Sequence, residues 1–201
     1  MTEQETSEPP CAGLLLAAGA GTRMGRPKAL VDLDGRLLVE RGIEVLREAG
    51  CDPVVVVLGA RAVDVWRAAD LDGATVVANQ DWETGMGSSL RTGLDGLRGW
   101  PGWVDAALVT LVDMPGMTAA ALQQVAGFAA PDALAVATYD GVRGHPVLLG
   151  RDHWAGVIQT LTGDEGARRY LAAHDVTEVD CTGLADPTDL DVPPSGVPSA
   201  P

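Results

Sequence analysis

The chain has 201 residues, enough for one domain with a real core, and 46% of them are apolar, a globular rather than a disordered composition. Its formal net charge of −14 excludes broad nonspecific nucleic-acid binding, which needs a basic footprint, and sets the surface against anionic membranes. A phosphorylated substrate then requires positive charge concentrated in one place or supplied by a metal.

Residues 1–10 are polar, acidic and end in Pro9-Pro10, and residues 191–201 are rich in proline; both read as disordered tails around a single folded unit at 11–190. The N-terminus lacks a basic n-region and an apolar h-region, and no apolar run approaches membrane length, so a cytoplasmic protein is expected. Cys11, Cys51 and Cys181 form no CxxC pair and read as small buried thiols in a reducing compartment.

Leu14-Leu15-Leu16 is a short buried strand running into a glycine-rich turn. Leu38 to Ala49 has helical spacing and Gly50 stops it. Pro53 to Leu58 is the clearest buried strand, and Ala60 to Ala68 a short helix. Thr75 to Ala78 is a third strand. Ser88 to Leu97 reads as a helix with Ser88 as N-cap. Ala106 to Val112 is a fourth strand, stopped by Asp113-Met114-Pro115, and Thr118 caps a helix through Phe128. Ala133 to Tyr139 is a fifth strand, and Asp140-Gly141 turns it into Pro146 to Leu149 as a hairpin. Helices at 151–160 and 164–173 and a strand from Val176 to Val179 complete the pattern. Alternating strands and helices predict an α/β fold, a three-layer αβα sandwich with a mostly parallel, doubly wound, Rossmann-like sheet and a small β-hairpin. Ligands in such sheets sit at the carboxyl ends of the strands.

The strongest local signal is LLLAAGAGTRMGRPKAL at 14–30. Gly19, Gly21 and Gly25 allow positive φ and close backbone approach, and free amides there cradle phosphate oxygens. Arg23, Arg26 and Lys28 add three cations in an acidic chain, and Lys28 is its only lysine among fourteen basic residues. Lysine offers a slim point charge where arginine offers a planar fork, which suits a crowded site between phosphates. Pro27 and Ala29 around the lysine exclude a P-loop. The Gly21–Gly25 spacing and the missing acid after PVVVVL exclude a dinucleotide fingerprint. In the second signal, VTLVDMP at 109–115, a strand delivers Asp113 at its carboxyl end, as a metal ligand or as a helix-initiating acid.

LAAGAGTRMGRPK resembles the signature of the nucleotidyltransferase superfamily that includes molybdopterin cytidylyl- and guanylyltransferases, methylerythritol cytidylyltransferase and sugar-phosphate nucleotidyltransferases; the stretch from Arg23 to Lys28 looks most like the molybdopterin branch. The resemblance spans about residues 12–190. It implies an Mg²⁺-dependent transfer of a nucleoside monophosphate to a phosphorylated acceptor, with Arg23, Lys28 and Asp113 catalytic. It also implies nucleotide contacts from Leu16, Ala17, Ala18, Gly19, Gly21, Met24 and Gly25. The LAAG form of the turn is similar to cytidylyltransferases and implies CTP. Asn79 and Gly85-Met86-Gly87-Ser88-Ser89-Leu90 resemble the family's GMSSSL segment, which implies nucleotide contacts from Asn79, Gly87, Ser88 and Ser89; Gly87 stands where serine is usual.

Gly144-His145-Pro146-Val147 and Gly163-Asp164-Glu165-Gly166-Ala167-Arg168 resemble GHPV and GDxGAR segments of molybdopterin cytidylyltransferases. They imply acceptor contacts from Gly144, His145, Pro146, Gly166 and Arg168. The resemblance implies a second metal ligand beside Asp113 near the C-terminus, Asp186, with Asp180 or neither residue as the alternatives; Ala185 stands where an acid is expected. The implied reaction is CMP transfer from CTP to molybdopterin with release of pyrophosphate, and a molybdenum enzyme receiving the product is an implied transient partner. Two alternatives stay open: a sugar-phosphate acceptor on the same fold, and a non-catalytic protein that binds and delivers a cofactor.

Overall fold

The computed structural model describes residues 11–100 and 104–190, so both predicted tails lie outside the described residues. The central sheet has seven strands. Four run parallel at one side: β5 (Thr75–Ala78), β4 (Val54–Leu58), β1 (Cys11–Ala17) and β6 (Ala106–Leu111), in that spatial order. Beyond β6 lies β8 (Val142–Gly150), antiparallel to it, then β7 (Leu134–Tyr139) and β9 (Thr177–Asp180). Only β8 opposes the common direction, because β9 pairs parallel with β7.

Alternation along β1 splits the core. Leu15 and Ala17 join one cluster, with α1 (Leu38–Glu48) and α4 (Ala119–Ala126). Leu14 and Leu16 join the other, with α3 (Met86–Arg98), α5 (Trp154–Thr160) and α6 (Arg168–Leu171). Successive residues of a strand point to opposite faces, so a strand buried on both sides reads as an unbroken apolar run, as PVVVVL does. A short α2 (Ala62–Ala68) lends Val65 to the first cluster. Helices on both faces of a mostly parallel sheet are the predicted three-layer architecture.

The helices sit close on β1 because glycines face it. A β-carbon at Gly42 of α1 would lie 2.7 Å from Leu15 Cδ2, and one at Gly93 of α3 would lie 2.5 Å from Leu14 Cδ1. Around these contacts α1 buries Leu38, Val39, Ile43 and Leu46, each worth roughly 1.5–3 kcal/mol. All three cysteines are buried and unbridged.

Several boundaries differ from the sequence expectation. The strand before Asp113 ends at Leu111, one residue earlier than expected, and Val112 N–H still adds a last rung to Leu16 O at 3.1 Å. The strand expected from Pro146 begins at Val142, straight out of the Asp140-Gly141 turn, whose φ values are 50° and 78°. The helix expected at 164–173 shortens to four residues, since Gly163 and Gly166 adopt left-handed φ of 47° and 54°. A second hairpin, β2 (Asp32–Leu33) with β3 (Arg36–Leu37), lies between the glycine loop and α1; the sequence reading missed it although Asp34-Gly35 carries the same turn signal as Asp140-Gly141.

Candidate active site

The parallel strands end together. Ala17 pairs with Leu58, Leu58 with Ala78, and Leu16 with Leu111. The segments singled out from sequence, Ala18–Lys28, Asn79–Ser89 and Asp113, therefore leave the sheet on one side. The glycine loop is two tight turns. Thr22–Met24 is a 3₁₀ turn closed by Met24 N–H to Gly21 O at 2.8 Å, and Pro27 leads into a second at Lys28–Leu30. Gly21 has φ 58° and a β-carbon there would meet Arg26 O at 2.0 Å, so nothing but glycine fits. Gly25 has φ 69°. At Gly19 no protein atom crowds a β-carbon, so the space beside it is open. The backbone of Arg23 lies within the first 3₁₀ turn; its side chain is outside the described residues.

The second turn presents the sole lysine to the strand-end carboxylate. Lys28 Nζ donates to Asp113 Oδ2 at 2.7 Å, across 85 residues of sequence. Both side chains are one-fifth exposed, so the pair is partly desolvated yet reachable by a ligand. The C-terminal segment holds the carboxylate's own backbone: Leu190 N–H donates to Asp113 O at 2.8 Å and Asp186 N–H to Gly116 O at 3.1 Å. Thr118, the predicted N-cap, accepts from Ala121 N–H and donates to Leu184 O at 2.7 Å. The Asp186 and Asp180 carboxylates face their own turns: the Thr188 and Thr182 side chains, and then their N–H groups at 3.0 Å and 2.9 Å, hold both below the usual carboxylate range. Among the described residues no three His, Cys, Asp or Glu side chains form a metal-holding group.

Asn79 N–H continues the sheet to Leu58 O at 2.7 Å. Its amide nitrogen donates to Ser88 Oγ at 2.8 Å and Ser89 Oγ at 3.0 Å, and its oxygen accepts from Asp81 N–H. Both amide protons are thus engaged, so Asn79 braces the serine turn. Helix α3 begins at Met86, not Ser88. Ser88 lies in its first turn, with Gly85 at the N-cap, so Ser88 is not the cap expected from sequence. The cap comes from far away: Asp164 Oδ1 accepts Met86 N–H at 3.1 Å, and Gly163 O accepts Gly87 N–H at 2.8 Å. A β-carbon at Gly87 would lie 3.0 Å from Gly163 O, a physical reason for glycine where the related segment carries serine. The segments 85–89 and 163–168 are therefore docked on each other. Asp164's role was invisible in sequence, because its partner is 78 residues distant.

His145 lies on β8 two residues from Val147, which pairs with Val109 of β6, so it stands level with the end of the strand that leads to Asp113. Its bond to Pro146 is cis, and its carbonyl accepts from Tyr139 Oη at 2.9 Å. Burial lowers the imidazole pKa to about 4, with the Arg168 charge lowering it further and Asp113 opposing. His145 is thus a neutral ring at pH 7, within electrostatic reach of both the strand-end carboxylate and the expected acceptor-side arginine. Arg168 opens α6 and lines an exposed depression with Glu165 and Arg169. Gly144 packs beside the Tyr139 ring, and Gly166 beside Met86.

The family model of the MobA-like NTP transferase domain matches residues 13–179. The chain belongs to that family. Its fold is accordingly that of a nucleotidyltransferase, an enzyme family that transfers nucleotides. A relative named nicotine blue oxidoreductase, from Paenarthrobacter nicotinovorans, is 37% identical over 93% of this chain and 95% of its own length. The probable molybdenum cofactor guanylyltransferase of Opitutus terrae is 54% identical over 23% of each chain. Among solved structures, the Rv0371c homologue from Mycobacterium sp. strain JC1 superposes with TM-score 0.80 at 29% identity over 92% of both chains. Rv0371C of Mycobacterium tuberculosis H37Rv in complex with manganese superposes with TM-score 0.73 at 28% identity, covering 91% of this chain and 90% of that one. Among the described residues no helix is long and apolar enough to cross a membrane.

Proposed function

We propose that the protein transfers CMP from CTP to the phosphate of molybdopterin, or of the molybdenum cofactor derived from it, with release of pyrophosphate. The observation that carries this reading is the 2.7 Å contact between Lys28, on the loop that follows β1, and Asp113, just past the end of the neighbouring parallel strand β6. An acceptor phosphate oxygen attacks the α-phosphorus of the triphosphate in line; the new P–O bond forms as the bond to the β-phosphate bridging oxygen breaks, and pyrophosphate leaves. The nucleophile is already an anion, so the obstacle is repulsion between polyanions rather than proton transfer. The loop amides from Gly19 to Gly25 and the ammonium of Lys28 offset that repulsion. Neutral His145 offers a hydrogen bond without adding charge, and Arg168 holds the acceptor's phosphate.

Asp113 suits Mg²⁺, which commonly takes one or two carboxylates and completes its shell with substrate phosphates and water. Bound there, the ion would neutralise charge on the phosphates and polarise them. The manganese-bound relative supports a divalent ion at this fold. The reduced cysteines suit a cytoplasmic enzyme. The guanylyltransferase relative supports a molybdopterin acceptor, and the LAAG turn supports cytidine as the base.

Pyrophosphate release is measured with each of the four common NTPs, with and without molybdopterin. The expected result is release that requires both CTP and molybdopterin. Release with a sugar 1-phosphate instead would move the acceptor class, and CTP binding without release under any condition would make this a delivery protein. The near full-length relative named nicotine blue oxidoreductase favours a second reading, an oxidation–reduction of nicotine blue. Bleaching of nicotine blue with a two-electron donor, in a preparation that releases no pyrophosphate, would select that reading.

A further inference from the structure

Among the described residues, two buried side-chain polar atoms have no hydrogen-bond partner: Arg41 Nε and Thr110 Oγ1. Arg41 and Thr110 line the same small, partly open cavity of ≈ 20 Å³, walled by Gly42, Val112, Met114 and Pro115. Thr110 is 1% exposed and lies on β6, three residues before Asp113. Arg41 lies on α1, where its guanidinium donates to Leu33 O at 2.5 Å and pairs with Asp34 at 3.6 Å, both in the small hairpin that follows the phosphate loop. The cavity therefore separates the element trailing the loop from the strand and turn that deliver Asp113.

An orphaned buried donor and an orphaned buried hydroxyl each carry a desolvation cost, and native interiors rarely leave two in one place. The chemistry names the occupant. Arg Nε–H only donates, so the ligand must accept from it. The threonine hydroxyl donates or accepts. The volume holds one water and nothing larger. A cation is excluded by the guanidinium. We infer that this cavity is a binding site for a single ordered water, which accepts from Arg41 Nε and bonds Thr110 Oγ1, and that Arg41 and Thr110 act through it as positioning residues. The water ties α1 and the loop side of the site to the base of the Asp113 turn. Its occupancy is independent of the transferase reading; its effect on turnover rests on that reading.

The sign of one substitution tests occupancy. Thr110→Val exchanges a hydroxyl for a methyl of the same shape. If the hydroxyl bonds a water, the variant lowers the urea midpoint and Thr110→Ser keeps it near wild type. If the hydroxyl is unbonded, removing it raises the midpoint, and the inference fails. A wild-type midpoint that climbs with chloride over perchlorate at fixed ionic strength, with the climb lost in Thr110→Val, would replace water by an anion and also overturn it. A high-resolution map of the wild type is expected to show one peak within hydrogen-bond distance of both atoms, absent in Thr110→Val. For turnover, Thr110→Val is expected to lower kcat several-fold with an unchanged KM for nucleotide, and Thr110→Ser to restore it. Unchanged kcat would remove the positioning role while leaving the midpoint test intact. If the wild type turns over no nucleotide at all, the function proposed above fails, and the midpoint and the map still decide the water.

Discussion

At the residue scale the site rests on one pair. On the proposed mechanism Lys28→Ala removes the cation that faces the phosphates and Asp113→Ala the carboxylate that suits Mg²⁺, and each is expected to lower kcat by about 10²-fold or more, as losses of transition-state charge stabilisation do. Circular dichroism is expected to stay native, since the pair is partly solvated. Lys28→Arg is not expected to rescue, because a planar fork does not fit where a slim ammonium meets a carboxylate oxygen at 2.7 Å. Rates within threefold of wild type in either alanine variant would rule out the mechanism. His145 provides the pH signature. Its folded pKa of about 4 lies below the unfolded value of 6.5, because burial and Arg168 outweigh Asp113. As pH falls the unfolded chain takes the proton first, so stability is lost progressively between pH 6.5 and about 4 and is intact above 6.5. His145→Gln is expected to flatten that part of the acid limb: its urea midpoint should drop less than the wild type's between pH 7 and pH 5. Equal drops would show that the ring does not titrate in this window.

At the element scale, legibility followed locality. The glycine loop, the strand before Asp113 and the Thr118 cap were readable because each is built within a few residues. Gly21 needs a left-handed turn where its sequence neighbours put it, and Thr118 caps the amide three residues on. The start of α3 was misread because its cap is Asp164, supplied by a distant turn, while Ser88 looked like a cap by type alone. The same docking explains why 163–167 is irregular: its carbonyl and carboxylate serve another helix's amides, and two left-handed glycines aim them there. The β2–β3 hairpin was missed for a simpler reason, a turn signal present but flanked by strands of only two residues. Helix–sheet packing gives its own test. Gly42→Ala and Gly93→Ala each drive a β-carbon into a leucine of β1 and are expected to destabilise by about 1–3 kcal/mol, read as a lower urea midpoint at unchanged m-value. A neutral or stabilising effect at both would mean that the helices stand farther off the sheet than described.

At the scale of the whole molecule, the fold class was readable from alternation alone, but the reversal of β8 was visible only through its hairpin turn. The charge balance has a kinetic consequence. A surface of net charge −14 repels an anionic nucleotide at long range, although the loop attracts it at short range. Raising NaCl from about 0.02 to about 0.2 M shortens the screening length and should increase kcat/KM for the nucleotide roughly twofold. A steep fall with salt would mean that the local cations, and not the overall charge, govern encounter.

The carbonyl of Asp113 is held by the amide of Leu190, and the turn after it by Asp186. A ribosome making this chain therefore finishes the sheet's parallel half well before it delivers the peptide that clasps the Asp113 backbone. Until residues 186–190 emerge, the loop and its lysine face an acid whose backbone lacks this clasp.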